Sequence, residues 1–254
     1  MKNYEEFFQR FQFREEGHRL VGIERECFLL EKNGLISPLA VPVLKSLNEK
    51  GNGHFGYELS ACQLEERVGP CRLNNLREEI MKNEDLITQA EKSLGFSRSF
   101  FELGPIDMPL DVFPDPNGRY QRIVKNMPQK TLLSACRIIG VHVHIGMKDH
   151  NTALRTYNRA IPYCQELCEI GDGSNKQRLA VYKVMAKDYQ PKHYADWMEF
   201  YNYASQKGFA TDPRSCWHLI RISIHGTIEF RMFGSTADID KIISWAKKCY
   251  ELCQ

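Results

Sequence analysis

Four segments of the sequence alternate apolar residues with glutamate, histidine or arginine at every second position. They are GIERECFLL at 22–30, GVHVHIG at 140–146, LIRISIH at 219–225 and TIEFRMF at 227–233. Because side chains two residues apart on a β-strand point to the same face, each segment predicts a strand with one apolar and one polar face. The predicted polar faces carry Glu24, Glu26, His142, His144, Arg221, Ser223, His225, Glu229 and Arg231.

For a single strand, the simpler interpretation is an antiparallel sheet with its polar face in solvent. Such faces favour Thr, Lys and Ser, whereas Glu is depleted in strands and gains nothing from pairing with another Glu. The stretch HFGYELSACQLEERVGPC at 54–71 adds Glu58, Glu65 and Glu66 among residues typical of strands and turns. We therefore predict one assembled surface, in which a divalent cation relieves the repulsion between clustered carboxylates.

The type of cation follows from the ligands. A site dominated by Glu oxygens with one or two His suits Mg²⁺, or Mn²⁺, better than zinc, which usually recruits Cys or three His. Magnesium in such sites usually carries phosphate, so we expect a nucleotide. The sequence has neither GxxxxGK nor GxGxxG, and GDGS at 171–174 is typical of a plain turn. Phosphate would then be held by metal ions and arginines on the sheet.

The remaining pattern predicts a mixed α and β chain without repeats. Strands are expected at 20–30, 55–60, 62–68, 137–146, 216–226 and 227–234, and helices at 4–14, 73–94, 151–168, 175–187, 192–207 and 237–253. Gly95 and Gly208 can end two of these helices, and Ser235 or Thr236 can cap the last one. The proline-rich stretch 104–118 is either a lid or a long connection.

Composition narrows the class of protein. A chain of 254 residues with 43% hydrophobic residues can bury a substantial core, and we expect a single catalytic domain over 1–254. A net charge of +2 gives no general attraction to nucleic acid or to a membrane surface. The polar start and the absence of a long apolar run predict a cytoplasmic protein. The nine scattered cysteines, with no CxxC pair, are expected to be reduced core residues.

Four motifs follow one another along the sequence: GIERE at 22–26, YELSACQLEERVGP at 57–70, GVHVHIG at 140–146 and IEFRMFGS at 228–235. As an ordered set they resemble the motifs of the glutamate–cysteine ligase superfamily, especially its bacterial carboxylate–amine ligase branch. The resemblance covers about residues 20 to 245, and it is specific as an ordered set. It implies a fold like the catalytic domain of glutamine synthetase, an α+β architecture. In that fold a curved, mainly antiparallel sheet forms a funnel, helices pack on its outer face, and two or three Mg²⁺ ions surround ATP.

The resemblance also implies roles for individual residues. The positions that match metal ligands are Glu24, Glu26, Glu58, Glu65, His142 and Glu229, with Glu24 and Glu26 on different ions. Arg231 matches an arginine that contacts the transferred phosphate. Candidate substrate contacts are His144, Arg221 and Arg119, and for the two arginines a salt bridge is the competing interpretation. Glu66 points away from Glu65 and is expected to be structural.

The implied reaction is ATP-dependent amide formation through an acyl phosphate. The carboxylate is typically that of glutamate and the amine is one such as cysteine, so the expected partners are small molecules, with homo-oligomerisation left open. Relatives in this branch usually continue well beyond the IEFR strand, whereas this sequence ends about one helix later. Two alternatives stay open, a guanidino-kinase-like phosphotransferase and a non-catalytic protein that binds Mg²⁺ and nucleotide. A zinc hydrolase built on His142 and His144 is a weaker one.

Overall fold

The computed structural model describes residues 2–49 and 53–254. Its strands are β1 (Val21–Leu30), β2 (Phe55–Tyr57), β3 (Gln63–Cys71), β4 (Ser97–Ser99), β5 (Gly140–Gly146), β6 (Ile220–Ser223) and β7 (Thr227–Gly234). Its α-helices are α1 (Lys2–Phe8), α2 (Ala40–Asn48), α3 (Leu76–Leu94), α4 (Arg119–Val124), α5 (Gln129–Arg137), α6 (His150–Ala160), α7 (Cys164–Ile170), α8 (Gln177–Met185), α9 (Trp197–Lys207) and α10 (Ile239–Leu252).

The strands form one sheet in the order β2-β3-β1-β5-β7-β6, and β4 pairs with the end of β1. Every pair is antiparallel. The strand β1, which carries GIERE, therefore lies centrally between β3 and β5. The predicted α+β fold with an antiparallel sheet is confirmed.

The apolar face of the sheet is covered by helices. Ile23, Val143 and Phe230 from three different strands are at most 2% exposed and share a core with Tyr157 of α6 and with residues of α10. The alternation of the strands explains this arrangement, because the apolar residues of β1, β5 and β7 fall on one face. Burying such side chains is worth about 1.5–3 kcal/mol each, so this layer fixes which face of the sheet remains for polar groups.

The other face is closed at one end by the proline-rich stretch. Between β4 and α4 the described chain forms no helix or strand longer than an isolated bridge. Its Met108 packs with Phe28, Cys62, Cys136 and Ile139 in a small separate core. The function of this stretch as a lid stays a prediction.

Several boundaries differ from those predicted. The first helix ends at Phe8 rather than at residue 14, because the main-chain N–H of Gln12 donates to Ile224 O and draws the chain to the β6–β7 hairpin. The last helix is capped by Asp238, whose carboxylate accepts from two main-chain N–H groups at its start. The prediction of Ser235 or Thr236 as the cap was therefore wrong. Ser235 instead donates its hydroxyl proton to Glu26 O.

All nine cysteines are free, and six of them are buried as predicted, whereas Cys71, Cys164 and Cys168 are partly exposed. In the described part of the chain, no helix has the length and apolar character required to cross a membrane.

Candidate functional site

The polar face of the sheet forms the wall of a cavity of about 630 Å³. Two groups of side chains lie close enough in it for each group to hold a metal ion. One group is Glu26, Glu58 and Glu65, and the other is Glu24, His144 and Glu229. Within each group, the candidate ligand atoms lie within 4.8 Å of one another. Residues more than 200 positions apart in the sequence therefore meet on one surface.

The strand register produces this convergence. Glu26 on β1 lies opposite Glu65 on β3, and Glu24 on β1 lies opposite His142 on β5. On the far side of β5, His144 lies opposite Glu229 on β7. Because directly opposed residues on one face have Cβ atoms about 4.5–5.5 Å apart, the four neighbouring strands β3, β1, β5 and β7 assemble most of the site.

In the first group, the carboxylates are poorly compensated by the protein. Burial and the neighbouring Glu65 raise the pKa of Glu26 to about 8. Burial and Glu26 likewise raise the pKa of Glu58 to about 7, and burial with Glu24 and Glu58 raises that of Glu65 well above its usual value. The main-chain N–H of Gly140 donates to Glu26 at 2.7 Å, and Arg67 donates to Glu65. A divalent cation would supply the missing positive charge.

The second group holds ionised carboxylates. Burial alone would raise the pKa of the fully buried Glu229, but Arg221 and Arg231 hold it well below its usual value. Arg221 Nε donates to Glu229 at 2.7 Å, and Arg231 donates to the other carboxylate oxygen. The pKa of Glu24 is also held well below its usual value, because His144 and His142 outweigh the effect of burial.

The two histidines occupy different places in the cavity. His142 lies between the groups, with Nδ1 at 2.9 Å from Glu24 Oε2 and Nε2 at 3.7 Å from Glu26 Oε1. Burial and Arg231 lower the pKa of His142 to about 4, so its imidazole is neutral and able to bind a metal. His144, which the sequence suggested for substrate binding, lies 3.4 Å from Glu24 and belongs to the second group.

All three candidate arginines line the same cavity. The guanidinium of Arg231 lies 5.6 Å from the centre of the Trp217 ring. Arg221 also donates to two main-chain carbonyls of the segment before β6. Arg119 Nε lies 3.7 Å from Asp212, so a salt bridge does form there, across the cavity wall.

Glu66 lies on the opposite face of β3, as predicted. Its carboxylate accepts from Arg25 at 2.6 Å, and both side chains are almost completely buried. Arg25 also pairs with Glu84 of α3. These two ion pairs link β1 and β3 to α3, and they lie on the face of the sheet opposite the cavity.

Sequence reasoning missed several residues of the site. Arg67 lines the cavity two residues after Glu65, so the period-two rule could have found it. The aromatic residues Tyr57, Tyr120 and Trp217 also line the cavity, but they come from short or irregular segments without a periodic pattern. A second cavity of about 490 Å³ shares Glu24, Arg67, His144 and His225 with the first, so the second group of ligands is reached from two sides.

Comparison with known proteins gives a consistent family signal. No family model matches the chain. A protein of Thermobifida fusca (strain YX) named "Putative glutamate–cysteine ligase 2" is 24% identical over 251 residues, covering 91% of this chain and 62% of the relative. A protein of the same name from Solibacter usitatus (strain Ellin6076) is 27% identical over 153 residues, covering 55% of this chain and 39% of the relative. The resemblance to the glutamate–cysteine ligase superfamily is confirmed.

The chain spans about three fifths of the length of the first of these glutamate–cysteine ligase relatives. Among solved structures, a bifunctional glutathione synthetase from Pasteurella multocida superposes with a TM-score of 0.63, covering 99% of this chain and 40% of that one. At 12% identity this similarity concerns the fold alone. It agrees with the α+β sheet architecture that the glutamate–cysteine ligase motifs implied.

Proposed function

We propose that the protein is an ATP-dependent ligase that joins a carboxylate, typically the side-chain carboxylate of glutamate, to an amine such as cysteine. The names of the sequence relatives support this reaction class. The observation that carries the proposal is the pair of adjacent acidic groups on one wall of the cavity. A cavity of about 630 Å³ lies within the range of small-molecule sites, which is roughly 300–1,000 Å³.

The residues present fit magnesium. Glu26, Glu58 and Glu65 would hold one ion, and Glu24, His144 and Glu229 another, with His142 available between them. The ligand set is mainly carboxylate oxygen, which suits Mg²⁺ or Mn²⁺. His144 Nε2 is buried and lies 3.4 Å from Glu24 Oε1, so these two atoms are close enough to bind the same ion. When bound, such ions neutralise phosphate charge and orient the γ-phosphoryl group for in-line attack.

The residues of the chain would position the reactants. Arg231 and Arg221 lie beside Glu229 at the floor of the cavity, where their guanidinium groups can stabilise charge on the transferred phosphoryl group. Tyr57, Tyr120 and Trp217 provide apolar wall that excludes water. Arg119 and Arg67 are further cationic contacts for an anionic substrate. Positioning and charge stabilisation are the main contributions a protein makes to phosphoryl transfer.

The reaction has two steps. A carboxylate oxygen bonds to the γ-phosphorus while the bond to the bridging oxygen breaks, which leaves an acyl phosphate and ADP. The amine nitrogen then bonds to the acyl carbon, and phosphate leaves with its bonding electron pair while the amine gives up a proton. The amide forms without covalent attachment to the protein.

The test is phosphate release from ATP with Mg²⁺ and panels of amino-acid pairs, together with mass spectrometry of the products. We expect phosphate and an amide only when a carboxylate substrate and an amine are both present. A phosphorylated guanidino compound would instead establish the phosphotransferase, and nucleotide binding without ATP consumption would establish the non-catalytic alternative. Glu26→Gln is expected to abolish turnover, whereas Glu6→Gln on the exposed face of α1 is the matched control.

A further inference from the structure

A separate basic cavity of about 420 Å³ lies between α6, the segment before β1, and Cys253 and Gln254 after α10. It shares no residue with the two cavities of the candidate site. One face of α6 lines the cavity with four residues spaced three or four positions apart, which are Thr152, Arg155, Thr156 and Arg159. Arg19 and His18, from the segment before β1, form the inner wall.

The side chains that line the cavity carry three positive charges and no acid. Three arginines line the cavity, no carboxylate side chain does, and among residues 2–49 and 53–254 none of the three forms an ion pair with an acid. Arg159 donates to the main-chain oxygen of Gln254 at 2.8 Å, and the guanidinium of Arg19 lies 4.5 Å from the centre of the Tyr250 ring. Arg155 makes no hydrogen bond or ion pair within the described chain.

The inner wall also has unused donors. Arg19 Nε and His18 Nδ1 are buried and have no hydrogen-bond partner in the described structure. Leaving a buried polar group unpaired costs about 1–3 kcal/mol, and a bound acceptor would recover this cost only if the side chain turns toward the cavity.

The backbone holds Arg19 in place at this wall. Arg19 has a φ of 61°, a conformation that side chains other than glycine rarely adopt. Its main-chain N–H donates to Gly146 O at the end of β5 at 2.8 Å. A Cβ atom at Gly146 would lie 1.9 Å from Gly17 O, so a glycine is required for this close approach. The unusual conformation is therefore imposed by contact with the sheet, and it places the Arg19 side chain along the cavity.

We propose that this cavity binds the phosphate group of a small phosphorylated molecule. Guanidinium groups pair with phosphate through two parallel hydrogen bonds, and the Thr156 hydroxyl supplies an additional polar contact. The volume exceeds that of inorganic phosphate alone, and the modest net charge of the chain argues against a nucleic-acid backbone. The site is independent of the ligase proposal, because it rests on none of the same residues.

The probe is pyrophosphate, titrated calorimetrically at constant ionic strength with EDTA present, so that binding through metal at the candidate active site is removed. Arg155→Gln/Arg159→Gln is compared with Arg10→Gln/Arg72→Gln, which removes the same charge from exposed, unpaired arginines elsewhere. We expect the first variant to bind at least about tenfold more weakly than the unaltered protein, the loss of one or two charge-assisted contacts. The second variant is expected to bind as the unaltered protein does.

Arg155 and Arg159 are exposed, so both variants are expected to fold, which circular dichroism checks. Arg19→Asn provides a second variant, because asparagine tolerates the left-handed conformation, and it is also expected to weaken binding. Equal pyrophosphate affinity in all proteins would place the anion elsewhere, and no measurable binding by the unaltered protein would show that the cavity is not an anion site. Either result overturns the proposal without bearing on ligase activity.

Discussion

At the scale of single residues, Glu65 and Glu66 show how one position decides between chemistry and stability. They are adjacent on β3 and equally buried, at 5% exposure each. Glu65 faces the cavity, where burial, Glu24 and Glu58 raise its pKa, whereas Glu66 faces the guanidinium of Arg25. Strand alternation sends one carboxylate to the cavity and the other to an ion pair.

Substituting these two residues should therefore separate metal binding from stability. Glu65→Gln removes a proposed metal ligand but also relieves repulsion between carboxylates, so we expect Mg²⁺ affinity to fall by about tenfold or more with little loss of stability. Glu66→Gln leaves Arg25 with only Glu84, so we expect the free energy of unfolding to fall by about 3 kcal/mol with Mg²⁺ affinity unchanged. Calorimetric Mg²⁺ titration and urea unfolding measure the two effects. Equal loss of stability in both variants would contradict the assignment of Glu65.

At the scale of elements, strands were predicted better than short helices, for a physical reason. A strand with one buried face has apolar residues at every second position, and this pattern is visible in the sequences of β1 and β7. The helices α2, α4 and α5 were missed because each is nine residues or fewer and begins near proline or glycine, as at Pro128 before α5. The same distinction applies to the site, whose charged residues on strands were predicted apart from Arg67, while the aromatic wall from short or irregular segments was not.

The helix α8 contributes a residue that no local pattern indicated. The guanidinium of Arg178 is buried under the sheet and donates to Ile139 O at 2.8 Å and Met232 O at 3.0 Å, where β5 and β7 shift register. Gly140 is a glycine there because a Cβ atom would lie 2.3 Å from Arg178 Nη2. Only the folded chain brings these groups together, since the donors and acceptors are far apart in sequence.

The hydrogen bonds from Arg178 to main-chain carbonyls of the sheet predict that this residue of α8 stabilises the folded state. Arg178→Lys keeps the charge but cannot reach all of these carbonyls with a single ammonium group. We expect the free energy of unfolding to decrease by about 2–3 kcal/mol, the value of one or two hydrogen bonds to a charged group. The reverse exchange, Lys183→Arg on the exposed side of the same helix, is the control and is expected to change little. Urea unfolding of both variants measures the difference, and similar stabilities would show that Arg178 is dispensable.

At the scale of the whole molecule, the sheet brings together like charges that its own side chains do not neutralise. Residues from β1, β3 and the segment between β2 and β3 form the acidic group of Glu26, Glu58 and Glu65. The hydrophobic layer on the other face holds these strands in register regardless of that repulsion. The folded state therefore retains protons on these carboxylates, and a cation bound there would replace them, which would couple stability, pH and metal binding.

The direction of this coupling can be derived from the pKa values. Burial and mutual repulsion raise the folded-state pKa of Glu26 to about 8 and that of Glu58 to about 7, against about 4.3 in an unfolded chain. The folded state binds more protons, so this contribution to stability is complete below pH about 4.3 and is lost as the pH rises through 7 to 8. We expect the melting temperature in EDTA to fall between pH 6 and 8.5.

Mg²⁺ must displace the same protons, so its affinity and its stabilising effect should increase over that range, with proton release measurable by titration in buffers of different ionisation enthalpy. A melting temperature in EDTA that rises with pH, or Mg²⁺ binding without proton release at pH 7, would show that these carboxylates are not the metal ligands.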